Sequence, residues 1–241
     1  MAVTRKRIEG NLAAIRSRIA AAAARSGRDA ADVKIVAVTK SVDTETIRNL
    51  IDAGITALAE NRVQQFVTRA EEINRYLQRR RNPLASPVEW HLIGHLQRNK
   101  VKSAVEISAM IHSVDSLRLA EEINERCEKM NRRLPVLLQV NCSQEEQKYG
   151  CAVGAAIHLG ELMAQMKHIE LSGLMTMGPM DGNPDGTRHA FVRLRELFEE
   201  MRHENIGGRD FRHLSMGMSG DYEIAVEQGA TMVRIGSALF E

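Results

Sequence analysis

A chain of 241 residues can bury a sizeable core and lies in the size range of one large α/β domain or two small ones. Its 33 Lys and Arg against 31 Asp and Glu leave a net charge of +2, a balance that argues against a dominant nucleic-acid surface. The three cysteines, Cys127, Cys142 and Cys151, are odd in number and lack Cys-x-x-Cys spacing. Neither a disulfide framework nor a thiolate zinc site is indicated, and a reducing, cytoplasmic compartment is expected.

Residues 1–27 place Ile8, Leu12, Ile15 and Ile19 at three- and four-residue spacings, which predicts an amphipathic covering helix closed by Gly27. Its alanine-rich stretch is bounded by Arg18 and Arg25 and is too short for a signal peptide. No segment approaches the ~18 apolar residues needed to span a bilayer, so a soluble, intracellular protein is expected.

The stretch 33–40, Val-Lys-Ile-Val-Ala-Val-Thr-Lys, reads as a strand buried on both faces, the pattern of a parallel sheet. Alternation puts Lys40 on the face of Val36 and Val38, at the carboxyl end where α/β proteins carry their chemistry. The competing reading is a strand that simply stops, with Lys40 reaching water. Helix 43–53 ends at Gly54; strand 55–59 and a charged helix 62–81 follow, stopped by Pro83 and Pro87. Next come strand 88–93, a short helix 97–105, strand 110–114 and a helix capped by Asp115 or Ser116. Strand 134–140 leads through the polar loop 141–149 to helix 153–166 and strand 169–174. A loop with Gly178, Pro179, Gly182, Pro184 and Gly186 precedes helix 187–203; strand 211–215, helix 220–228 and strand 231–235 complete the series.

Eight strands alternating with helices predict a single (β/α)8 TIM barrel over residues 1–241, with an extra N-terminal helix. The alternative, an open doubly wound sheet, lacks a Gly-x-Gly-x-x-Gly turn after the first strand. In a barrel the strand ends converge on one pocket. The polar set there comprises Lys40, Asn61, His91, Ser113, Asn141, Ser215 and Arg234, with Met175 and Met177. The loop from Ser215 to Gly220 and the pair Gly236-Ser237 offer glycines, hydroxyls and helix starts after strands seven and eight, where this fold binds phosphate. Otherwise these glycines only make turns. A lysine facing a phosphate cradle suggests a phosphorylated aldehyde held as a Schiff base, with pyridoxal 5'-phosphate as the obvious candidate. Arg234 would face the pyridine nitrogen; otherwise it makes a structural ion pair.

Weaker signals accompany these. His91 and His95 lack the Glu of His-Glu-x-x-His, so no metal site is expected. Arg75, Arg79, Arg80, Arg81, Arg98, Lys100 and Lys102 read as solvated charge that could attract an acidic partner. Met175, Met177, Met216 and Met218 can line a pocket or pack a core.

Several blocks resemble a known family: Val38-Thr39-Lys40, Glu60-Asn61-Arg62-Val63-Gln64, Trp90-His91-Leu92-Ile93-Gly94-His95, His112-Ser113-Val114-Asp115-Ser116, Gln139-Val140-Asn141, Lys148-Tyr149-Gly150, Gly173-Leu174-Met175, Ser215-Met216-Gly217-Met218-Ser219-Gly220-Asp221 and Val233-Arg234-Ile235-Gly236. Over nearly the whole chain these resemble the pyridoxal phosphate homeostasis proteins, also called the proline synthase co-transcribed family. The resemblance implies a fold-type III barrel related to the N-terminal domain of alanine racemase, with pyridoxal 5'-phosphate on Lys40. It further implies phosphate contacts from Ser215, Met216, Gly217, Ser219, Gly236 and Ser237, a ring-nitrogen contact from Arg234, and a pocket lined by Asn61, His91 and Met175; Ile93, Ser113 and Asn141, at or near the strand ends, are expected to bind the cofactor as well. Two departures are a Ser237 that is often Thr and an ending at Glu241 where the family usually has Gly and a few more residues.

The resemblance implies a protein that buffers or delivers the cofactor without robust catalysis, with apo pyridoxal phosphate enzymes as candidate partners. The alternative is an amino-acid racemase, which needs an acid/base on each face of its substrate, one a Lys and the other a Tyr from a following domain of a partner subunit. The chain ends with the barrel, so binding and a monomer are expected; of Tyr76, Tyr149 and Tyr222, none has a clear strand-end position, while Tyr149 and Tyr222 lie in loops that can still approach the pocket. A sugar-phosphate enzyme using Lys40 as its Schiff-base lysine is the third reading.

Overall fold

The computed structural model describes residues 2–241, and in it the strands pair in parallel, in sequence order, until the eighth closes on the first. They are β1 (Lys34–Val38), β2 (Ala57–Glu60), β3 (Glu89–Leu92), β4 (Met110–Val114), β5 (Leu134–Gln139), β6 (Ile169–Met175), β7 (His213–Ser215) and β8 (Met232–Ile235). Closure leaves no edge and covers each strand on both faces, which is what their unbroken apolar runs require. The expected (β/α)8 barrel is therefore present. The closing register sets Val36 beside Arg234.

The helices are α1 (Arg5–Arg25), α2 (Thr44–Asp52), α3 (Val63–Gln78), α4 (Val101–Ile107), α5 (Leu117–Lys129), α6 (Ala156–Ala164), α7 (Pro184–His203), α8 (Tyr222–Glu227) and α9 (Ser237–Phe240). Two apolar cores result from period-two alternation. Ala37, Val233 and Ile235 point out into the layer shared with the helices, while Val36, Val38, Ala59, Met175 and Met232 fill the barrel interior. Arg234 shares the strand face of Met232 and so enters the interior.

The covering helix α1 is capped by Thr4, whose hydroxyl accepts the Arg7 N–H, and buries Ile8, Leu12, Ile15 and Ile19. Asn11 Nδ2 donates to the Leu239 carbonyl at 3.0 Å, and Arg28 donates to the carbonyls of Val226 and Ala230, which docks this segment beside α8 and α9. Some boundaries differ from expectation. Helix α7 starts three residues early because Asn183 caps the Asp185 N–H and Pro184 needs no donor at the first helical position. Ser116 stands at the α5 cap position without a side-chain cap bond. Within β6, Gly173 has φ +151, and a Cβ there would lie 1.9 Å from the His213 carbonyl oxygen. Only glycine lets β6 and β7 approach so closely. Among the described residues, no helix is long and apolar enough to cross a membrane.

Half-buried His213 opens β7, and burial, then the Arg212 and Lys34 charges, push its pKa from 6.5 down to about 4. Burial lowers His91 and His112 in the same direction. Between those values the unfolded chain binds a proton that the folded one refuses, so stability is full above about pH 6.5 and declines as pH falls toward 4. Circular-dichroism melts are expected to show a midpoint several degrees lower at about pH 4.5 than at neutrality. An unchanged or higher midpoint at the acid pH contradicts this assignment.

Candidate functional site

Lys40 lies two residues past β1, on a loop that the rest of the barrel holds in place. Thr39 is buried and donates to Glu60, while Arg69 from α3 donates to the Thr39 carbonyl, to Glu60 Oε1 and, at 2.7 Å, to the Val42 carbonyl. The backbone is thus tied on both sides of Lys40, whose own side chain is exposed. Across the mouth, Ser219 Oγ accepts the Gly236 N–H at 3.1 Å and the Ala238 N–H at 3.3 Å at the start of α9. Two amides there converge on one acceptor oxygen, a geometry that suits an anion.

Between these two sides sits Arg234, 3% exposed. Its guanidinium donates to Ser215 Oγ and to the Thr176 carbonyl, each at 2.8 Å. Burial lowers its pKa to about 10, with Asp221 opposing, so it stays cationic at neutral pH. No carboxylate pairs with it directly among the described residues, so it makes no structural ion pair.

A cavity of about 620 Å³ joins these groups. Of the expected residues it is lined by Lys40, Asn61, Ile93, Ser219, Arg234, Gly236 and Ser237. Seven others do not line it and instead shape it from behind. His91, Met175 and Ser215 are packed in the barrel interior, with His91 Nδ1 2.9 Å from His112 Nε2. Ser113 Oγ donates to the Gly94 carbonyl at 2.6 Å and so fixes the β3 loop. Asn141 folds its own loop, bonding the Glu145 carbonyl and the Gln144 N–H. Met216 packs outside the strands, and the Gly217 carbonyl accepts the Arg234 N–H.

Local pattern missed other lining residues, among them Gly94, His95 and Gln139. A Cβ on Gly94 would meet the Asn61 carbonyl oxygen at 2.0 Å, so glycine lets the ends of β2 and β3 close up. Tyr149 reaches the mouth through the 141–149 loop, where Gln139 Nε2 donates to its carbonyl at 3.0 Å. Its ring stacks on His95 with centroids 4.0 Å apart and planes at 11°, and His95 Nδ1 lies 3.3 Å from Asp115 Oδ2. Tyr76 bonds Asp52 and Tyr222 is buried in the outer core, so neither lines the cavity. The methionines divide: Met177 and Met218 line the cavity, Met175 and Met216 pack cores. His91 and His95 are separated by depth, and among the described residues no group of three or more His, Cys, Asp or Glu is placed to hold a metal ion.

An amine, a pair of amides gathered on a serine hydroxyl beside a second hydroxyl, and a buried guanidinium between them fit a flat phosphorylated aldehyde. Comparison with known proteins points the same way. A family model described as the alanine racemase N-terminal domain matches residues 10–241. The pyridoxal phosphate homeostasis protein of Aquifex aeolicus is 39% identical over 230 residues, with 95% of each chain covered. A crystal structure from Bifidobacterium adolescentis, described as an unknown protein, has a TM-score of 0.91 at 37% identity, covering 98% of this chain and 95% of its own. PipY of Synechococcus elongatus, with pyridoxal phosphate bound, has a TM-score of 0.81 at 29% identity, covering 97% and 100%. A Clostridium difficile alanine racemase, at 14% identity and a TM-score of 0.75 with 57% of its own chain covered, shares the fold alone.

Proposed function

Since the chain belongs to the pyridoxal phosphate homeostasis protein family, built on the alanine racemase N-terminal domain, we propose that it binds pyridoxal 5'-phosphate in this cavity and buffers or delivers it in the cytoplasm. The observation that carries the reading is the convergence of Lys40, Arg234 and the Ser219–Gly236–Ser237 cradle on one cavity. Bound there, the cofactor supplies an aldehyde for a lysine amine and an electron-withdrawing ring.

The protein's own groups then divide the work. Lys40 offers the amine; its exposure leaves the linkage open to water and to incoming amines, as a carrier requires. Ser219, Ser237 and the Gly236 amide receive the phosphate. Arg234, cationic and a donor only, offers no acceptor to a ring N–H and so does not favour a protonated ring, which disfavours broad carbanion chemistry. The whole chain 1–241 acts as one binding unit, a monomer that exchanges cofactor with apo-enzymes.

Borohydride reduction of the protein with added pyridoxal phosphate, followed by peptide mass mapping, is expected to place the adduct on Lys40. No visible absorption band with the cofactor, or an adduct confined to other lysines, overturns the proposal and favours the sugar-phosphate reading. One observation supports a second reading, a slow racemase: Tyr149, backed by His95 and Asp115, lines the same cavity as Lys40. Deuterium entering alanine at Cα in heavy water, faster than with free cofactor and lost in Tyr149→Phe, would establish that reading; its absence supports the carrier.

A further inference from the structure

Beneath the cavity a polar series runs down the barrel interior, through residues of β8, β7, β4 and β3. Arg234 Nη1 donates to Ser215 Oγ at 2.8 Å, and Ser215 Oγ lies 2.8 Å from His112 Nδ1. His112 Nε2 lies 2.9 Å from His91 Nδ1. Beyond it, His91 Nε2 is buried without a hydrogen-bond partner and faces Glu89 Oε2 at 3.6 Å. Glu89 pairs with Lys34 at the opposite mouth, where β1 and β3 begin.

One direction satisfies every link of the series. Ser215 Oγ already accepts from Arg234, so its proton needs an acceptor, and His112 Nδ1 is the group in reach. His112 therefore carries its proton on Nε2 and donates it to His91 Nδ1. His91 must then carry its proton on Nε2, toward the Glu89 carboxylate. The opposite polarity would leave the Ser215 proton without an acceptor and aim a bare lone pair at a carboxylate. At 3.6 Å the last contact is beyond a hydrogen bond; His91 Nε2 is buried while Glu89 is partly exposed, and the carboxylate charge favours the tautomer whose Nε2 proton faces it. Both histidines stay neutral because burial pushes their pKa values down, His112 well below the ordinary value.

We propose that Glu89, at the far mouth of the barrel, is a positioning residue for Arg234: through His91, His112 and Ser215 it holds the guanidinium in the orientation that faces the cavity. The effect on the cofactor rests on the binding proposed above; the tautomers do not. Long-range 1H–15N spectra of the full-length, cofactor-free protein with 15N-labelled histidine are expected to show His91 and His112 each protonated on Nε2 alone. Glu89→Leu, which offers no acceptor, is expected to mix these tautomers and to weaken pyridoxal phosphate binding about tenfold, equivalent to about 1.4 kcal/mol. Glu89→Gln loses the Lys34 ion pair but keeps an acceptor oxygen, and is expected to recover single tautomers and most of the lost affinity.

An Nδ1 proton on His112 in the unmodified protein overturns the proposal without reference to any variant's folding. So does a Gln variant that behaves like the Leu variant, which would make Glu89 a plain ion-pair residue. Failure of the unmodified protein to bind the cofactor, with the tautomers as stated, would sink the binding reading and leave the positioning of Arg234 standing.

Discussion

Lys40→Ala is expected to abolish the visible absorption of the cofactor complex and the borohydride adduct together. Lys40 is the only lysine among the residues lining the cavity, so nothing else there can take up the aldehyde. Non-covalent contacts from Ser219, Ser237 and Arg234 survive the change, and binding should persist on the order of a hundredfold weaker. The cofactor-free variant should melt within about 0.5 kcal/mol of the parent, because an exposed side chain with no ion pair or hydrogen bond among the described residues contributes little to folding. Equilibrium dialysis measures the first effect and urea titration the second. An adduct still trapped in the variant at parental yield would show that the aldehyde goes elsewhere.

Arg69→Met is expected to cost about 3–5 kcal/mol of folding stability, the loss typical when a buried pair keeps one partner. Glu60 is fully buried, and its Oε2 already lacks a hydrogen-bond partner. Arg69 and Thr39 both serve Oε1, so removing the guanidinium strands a carboxyl group in the barrel wall. The same change frees the Thr39 and Val42 carbonyls that bracket Lys40, so cofactor capture should weaken alongside stability. Adding Glu60→Gln to Arg69→Met should restore part of the stability, since an amide is cheaper to bury than a carboxylate, while leaving the loop untied. Urea denaturation of the single and double variants tests this; a single-variant loss below about 1 kcal/mol would mean that the pair is solvated after all.

Much of the architecture was legible because parallel strands buried on both faces leave continuous apolar runs, as in 33–40 and 134–140. Strand ends were less so. The expected strand 211–215 shrinks to His213–Ser215, with Gly208–Asp210 forming a short 3-10 turn ahead of it. Helix 187–203 gained its first turn from a cap and a proline that read equally well as loop.

From the sequence alone followed the barrel, the lysine at the end of its first strand, the hydroxyl and glycine loops after its last two, and Arg234 on an inward face. Each depends on local chemistry: alternation, turn residues and composition. Tertiary structure decided which polar residues meet the cavity and which support it. Ser215 and His112 are 103 residues apart, and only closure of β8 on β1 turns their side chains toward one another and away from the mouth. Tyr149 belongs to no periodic segment, so its place at the mouth depends on loop bonds such as that from Gln139 to its carbonyl. Local pattern assigns a side chain to a face of a strand; its depth in the barrel, and the partner it finds there, depend on registers set by strands distant in the chain.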